Sequence, residues 1–224
     1  MRITGCLCLN LLCLLLWISP GHAGHAGHAG EPQHILFADY AYGMPKAHIA
    51  ALPDVVAPED AESRDLFLPK TEYAGMNWQL RFEFVNEQLV RTSLMAPWSK
   101  ERMDAVVSRL RNDKYEALAL LVDDKSLDFI SLIKIEGPQA LNAKVASLLE
   151  NDTHRRVTYA WFVTEGISKE IKMRARNLTE LMMIVSSETR EAELTQVRGE
   201  TGQAVLLVDF TFPVLDAMRN RPAR

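Results

Sequence analysis

The chain has 224 residues, with 25 Lys and Arg against 29 Asp and Glu, for a formal net charge of −4. That mildly acidic balance argues against nucleic acid as a partner, because broad phosphate binding needs a basic excess. The three cysteines, Cys6, Cys8 and Cys13, all lie near the amino terminus, which excludes disulfides, thiol nucleophiles and cysteine-ligated metals from the rest of the chain.

In chain order, the first segment reads as an address. Met1-Arg2 is basic, Ile3–Ile18 is almost unbroken apolar sequence, and Ser19-Pro20-Gly21-His22-Ala23 supplies a small-x-small site. That is the pattern of a secretory signal peptide, and the apolar run is too short for a comfortable membrane span. Residues 1–23 are therefore expected to be removed. Gly-His-Ala is repeated in this region, so cleavage after Ala23, Ala26 or Ala29 fits, and the boundary extends up to residue 29. The expected location is periplasmic or secreted. No later apolar run is long enough to cross a bilayer, so no transmembrane span is expected after cleavage. Ile3-Thr4-Gly5-Cys6 has the letters of a lipobox but precedes the apolar run instead of following it.

Residues 24–33 are rich in Gly, Ala and His and are expected to be flexible. His22, His25 and His28 recur every third residue, the period of a polyproline-like turn, and so share one face. With His34 following, His25, His28 and His34 are candidate metal ligands for copper, nickel or zinc. The alternative is a repeated cleavage region that holds no ligand.

Residues 34–97 are expected to form a helix-plus-hairpin α+β lobe. His34–Tyr42 reads as a strand. Pro45 suits the first turn of a helix running to about Leu52, with Ile49 and Leu52 facing inward. Residues 53–64 hold prolines and carboxylates and read as a solvated loop. Leu66–Leu68 and Thr71–Ala74 are short strands or one bent strand, broken at Gly75. Asn77–Met95 is the clearest signal. Trp78, Leu80, Phe82 and Phe84 alternate with Gln79, Arg81 and Glu83, the period of a strand with one buried face. The return strand carries Val90, Thr92 and Leu94 on one parity. A two-residue loop at Asn86-Glu87 would set Phe82 opposite Arg91. An odd loop, Asn86–Gln88, pairs Phe84 with Val90 and Phe82 with Thr92, so the odd loop is expected, with Asn86 suited to a left-handed position.

Residues 98–224 are expected to form a second α+β lobe packed on the first; the length allows one compact domain or two small lobes. Ser99 is placed to cap a helix bearing Met103, Val106, Val107 and Leu110 at helical spacing. Tyr115–Val122 reads as a buried strand, Ser126–Ile135 as a helix capped from Asp123-Asp124, and Pro138 as the start of another helix with Leu141, Val145, Leu148 and Leu149 inward. Arg156–Val163 reads as a strand, with Ile167–Ala175 as its possible partner strand. Leu178–Val185 reads as a short helix, Ala192–Arg198 and Ala204–Phe212 as a last hairpin, and Pro213–Met218 as a terminal helix. Antiparallel-looking strand groups with helices between them define the class: α+β, mainly antiparallel sheet around a central hairpin, packed by helices.

Gly43-Met44-Pro45-Lys46, a Pro-containing loop, Trp78-Gln79-Leu80-Arg81-Phe82-Glu83-Phe84 and Leu89-Val90 resemble the helix-plus-hairpin half of the SmpA/OmlA and β-lactamase-inhibitor-like envelope modules, over about residues 43–95. The whole also resembles exported proteins of Gram-negative bacteria. The resemblance implies a non-catalytic module that works by contact with other envelope proteins. The chain departs from it in lacking a usable lipobox and in its long C-terminal half.

The chain contains no G-x-S-x-G, H-E-x-x-H, P-loop or G-x-G-x-x-G motif. His48 and His154 read as surface residues. The carboxylate pairs Glu59-Asp60, Asp123-Asp124 and Glu191/Glu193 are the other groups able to carry acid–base or metal chemistry. No catalytic residue and no cofactor is expected. The expected function is an exported non-catalytic domain that binds another envelope or secreted protein or an envelope component. The alternatives are a hydrolase whose site assembles only in three dimensions and a binder of an apolar small ligand held between sheet and helices.

Overall fold

The computed structural model describes residues 34–58, 64–150, 153–163 and 167–220. Two short strands, β1 (Ile35–Phe37) and β2 (Tyr40–Ala41), lead to helix α1 (Lys46–Ala50). Three long strands follow, β3 (Leu66–Tyr73), β4 (Met76–Val85) and β5 (Gln88–Pro97). Helix α2 (Lys100–Asn112) precedes β6 (Tyr115–Val122) and the short β7 (Lys125–Asp128). Helices α3 (Phe129–Glu136) and α4 (Pro138–Leu149) precede β8 (Arg156–Val163). Helices α5 (Lys169–Arg174) and α6 (Leu178–Ile184) precede β9 (Glu191–Arg198), β10 (Ala204–Thr211) and helix α7 (Pro213–Arg219).

Among the described residues, β3 to β10 make one antiparallel sheet of eight strands, ordered β3-β4-β5-β10-β9-β8-β6-β7. The class is α+β with a mainly antiparallel sheet packed by helices, as the sequence predicts. Residues 34–97 and 98–220 contribute to the same sheet, joined where β5 pairs with β10.

The alternation read in β4 sets the larger core. Trp78, Leu80, Phe82 and Phe84 are all buried, and they cluster with Leu94 and Ala96 of β5, Leu206, Val208 and Phe210 of β10, and Ile49, Val106 and Leu110 of α1 and α2. Farther along this face, Leu141, Val145, Leu148 and Leu149 of α4 pack against Leu120 and Val122. The opposite face of β6 and β8 is covered by a second helical layer. There Leu118, Ala119, Ala160 and Phe162 meet Ile130 of α3, Ile167 and Ala175 flanking α5, and Leu181 of α6. Helices thus lie on both faces, but the second layer covers only one side of the sheet.

The hairpin turn differs from the expected odd loop. Phe84 pairs with Leu89 and Val85 with Gln88, so Asn86 and Glu87 form a two-residue turn. Both have positive φ, 51° and 61°, as a type I′ turn requires. The register is restored one step later, where Glu83 pairs with Arg91 and Phe82 with Thr92. Val90 is the extra residue, a β-bulge that turns the strand back to the parity its apolar residues demand. The preceding chain clamps this irregular stretch: Gly43 N–H donates to the Leu89 carbonyl (2.7 Å), Leu89 N–H to Met44 (2.9 Å) and Lys46 N–H to Glu87 (2.9 Å). Glu87 is exposed and its side chain gains nothing from a left-handed backbone. Glu87→Gly should therefore stabilise the protein by up to about 1 kcal/mol, read as a higher urea midpoint at unchanged slope.

Four other expectations are corrected. His34–Tyr42 is two strands, because the chain reverses at Ala38, where φ is 47°. Leu52 is exposed and α1 stops at Ala50, leaving Ile49 as its buried anchor. Asp123-Asp124 caps no helix; with φ 52° at Asp123 it turns β6 into β7, and α3 starts only at Phe129, capped by the Asp128 carboxylate accepting from Ser131 N–H at 3.0 Å. Residues 167–175 hold the short helix α5 rather than a strand, with Ser168 capping it and Ile167, Ile171 and Ala175 on the inner side at helical spacing. The Ser99 cap is as expected, accepting from Arg102 N–H at 3.1 Å.

Candidate functional site

Of the candidate metal ligands, His25 and His28 lie outside the described residues. His34 packs its ring on Phe212, with centroids 5.1 Å apart. No group of three or more His, Cys, Asp or Glu able to hold a metal ion occurs among the described residues. His48 is exposed on α1. Glu59-Asp60 also falls outside the described residues.

His154 and Asp123 come together. Asp123 accepts from the backbone N–H groups of Arg155 and Arg156, both at 3.0 Å, and faces His154 Nδ1 at 3.0 Å. The other ring nitrogen faces the Leu148 carbonyl at 2.8 Å. The Arg156 N–H first, and then His154, hold the Asp123 carboxyl below the usual carboxylate range. Every polar atom of this pair is engaged in tying the β6–β7 turn to the end of α4, so the arrangement is a clasp.

Glu191 and Glu193 acquire a third neighbour that sequence spacing does not reveal. The β9–β10 register sets Glu193 opposite Asp209 and Glu191 opposite Thr211, and the β5–β10 register sets Asp209 opposite Ser93. All point away from the larger core. Burial and then the adjacent Glu193 push the Glu191 carboxyl up to about 8, against the opposing pull of Arg91 and a hydrogen bond from Thr211. Burial and then Asp209 raise Glu193 as well. Asp209 is buried and its Oδ1 has no hydrogen-bond partner among the described residues. With its carboxyl raised to about 8, Glu191 holds its proton at neutral pH, and the effect falls on stability.

The layer α3, α5, α6 carries five of the large apolar side chains exposed among the described residues. Asp128 ties the start of α3 to the start of α6, accepting from Leu178 N–H at 2.6 Å. Lys134 ties the end of α3 to the end of α5, donating to the carbonyls of Lys172, Met173 and Ala175, cations being favoured at a helix C-terminus. On this braced layer, Ile135 is 80% exposed, Met183 77% and Met173 60%, with Ile133 and Ile184 also open to solvent. Large apolar side chains exposed in number on one layer mark contact surfaces, and methionine adapts to irregular partners. Sequence reasoning missed this surface because residues 167–175 read as a strand.

No helix among the described residues is long and apolar enough to cross a membrane. No family model, no curated protein and no solved structure matches this chain.

Proposed function

We propose that this chain is an exported, non-catalytic domain that binds another protein of the envelope or secreted space through the outer side of α3, α5 and α6. The observation that carries the reading is the exposure of Ile135, Met173 and Met183 on a layer tied together by hydrogen bonds of Asp128 and Lys134. A signal-like amino terminus and the resemblance of residues 43–95 to SmpA/OmlA-type modules point the same way.

The test has two arms. N-terminal sequencing of the mature protein from its own host should find a chain beginning at Gly24, Gly27 or Gly30; a chain beginning at Met1 refutes export. A photocrosslinking residue in place of Met173 should give one discrete adduct in the same cells. Adding Ile135→Glu and Met183→Glu should abolish that adduct while changing stability by less than about 0.5 kcal/mol per site, as exposed positions do. An adduct that survives in the folded double variant refutes the surface.

A further inference from the structure

We propose that the cleft between β1, the end of α2 and the segment leading into β9 binds a singly charged carboxylate carried on an apolar or aromatic body. The cleft has a volume of about 370 Å³ and is lined by Leu36, Phe37, Tyr73, Arg109, Arg190 and Phe210, with Asp113 and Glu72 also on its wall. A neighbouring hollow of about 530 Å³ shares Arg109, Asp113 and Arg190 with it. These sizes lie within the usual range for small-molecule sites.

The floor is aromatic. The Tyr73 ring meets Phe37 at 5.7 Å, Phe210 at 5.9 Å and Trp78 at 6.4 Å between centroids. Tyr73 is only 8% exposed, and its hydroxyl is buried with no hydrogen-bond partner among the described residues. A buried orphan hydroxyl costs free energy, and a site that binds a polar group through it recovers that cost.

Arg109, Arg190 and the Tyr115 hydroxyl lie near that hydroxyl as donors, with the Asp113 carboxylate beside them. Arg109 lies over the Tyr73 ring at 6.0 Å and gives its Nε–H to Asp113 at 2.8 Å, leaving its outer nitrogens for other acceptors. Arg190 donates from Nε and one Nη to the Tyr115 hydroxyl at 3.0 and 2.8 Å, a neutral oxygen instead of a carboxylate. Burial pushes both the Tyr73 and Tyr115 hydroxyls above their ordinary range, so both keep their protons and remain able to donate. A cluster of donors is completed by a ligand that only accepts, and a guanidinium fork matches a carboxylate. Arg109 is already paired with Asp113. Counting Arg109 and Arg190 with Lys114 of the second hollow against Asp113 and Glu72, the cationic surplus is one charge, which favours a single negative charge over the double charge of a phosphate. Leu36, Phe37 and Phe210 supply the contact for the apolar body.

Calorimetric titration of the full chain with phenylacetate, phenylacetamide and phenyl phosphate tests this. Phenylacetate should bind with a Kd of about 1 mM or tighter, and the neutral amide at least about tenfold more weakly. Arg190→Gln should weaken phenylacetate by about tenfold or more; if that variant does not fold, Arg190→Lys, which keeps the charge and loses the fork, should weaken it as well. Tyr73→Phe should weaken binding while leaving the melting temperature unchanged or higher, since it removes an unpartnered hydroxyl. The proposal is overturned if phenylacetate does not bind, if the amide binds equally well, if phenyl phosphate binds more tightly, or if binding survives both substitutions. None of these outcomes depends on the α3–α5–α6 surface.

Discussion

Phe82→Ala should lower the unfolding free energy by about 3–5 kcal/mol, the usual range for truncating a buried aromatic, while Arg81→Ala should lower it by well under about 1 kcal/mol. Phe82 has no solvent-exposed area and lies in the larger core with Val106 and Leu110 of α2. Tyr40 meets its ring edge-on, with centroids 4.7 Å apart, so truncation removes an aromatic pair as well as area. Arg81 is one step along the strand and on the other face. A third of its side chain is exposed, and its carboxylate partners are loose, Glu83 at 3.7 Å and Asp65 at 3.9 Å, a geometry that contributes little. Urea denaturation of the two variants checks the contrast. Equal losses would mean that β4 is buried on both faces and that the one-sided reading of its alternation is wrong.

The second large effect is on pH dependence. The Glu191 carboxyl is raised from an ordinary 4.5 to about 8 in the folded protein. The folded state therefore holds this proton more tightly than the unfolded chain does. The associated stability is fully present below about pH 4.5 and is lost as pH rises through about 8. Each unit of difference corresponds to about 1.4 kcal/mol, so the loss is on the order of a few kcal/mol. Glu191→Gln keeps the shape and removes the ionisation. It should match the wild type near pH 5 and exceed it by roughly 2–4 kcal/mol at pH 9, with a flatter profile between. Some slope should remain, because Glu193 is raised too. Denaturation midpoints at pH 5, 7 and 9 decide the matter; parallel profiles for the two proteins would show that Glu191 ionises freely in the fold.

Where local pattern and tertiary demand agree, the sequence was a sound guide. The run from Trp78 to Phe84, the Ser99 cap and the last hairpin are of this kind, since each is encoded within a few residues. Local reasoning failed where a neighbouring turn decided the outcome. Lys125–Asp128 has no strong strand character, yet the reversal at Asp123-Asp124 lays it along β6 and delays α3 by a turn. At the β4–β5 turn the argument from parity was sound for Phe82 and Thr92, but it placed the correction in the loop rather than in the bulge at Val90. The cleft left no trace in spacing. Tyr115 and Arg190 meet across 75 positions of sequence, and Asp209 reaches Glu193 only through strand register.

The position of β10 governs the order in which the molecule can assemble. Pro97 of β5 pairs with Val205 of β10, and β10 pairs in turn with β9. Without Ala204–Thr211 the eight-stranded sheet divides into two parts, β3-β4-β5 and β9-β8-β6-β7, with β5 and β9 as unpaired edges. Among the described strands, the last in chain order is the one that joins them. Such long-range closure makes folding slow, and the interval leaves β5, a ten-residue strand with a buried apolar face, available for mispairing with another chain.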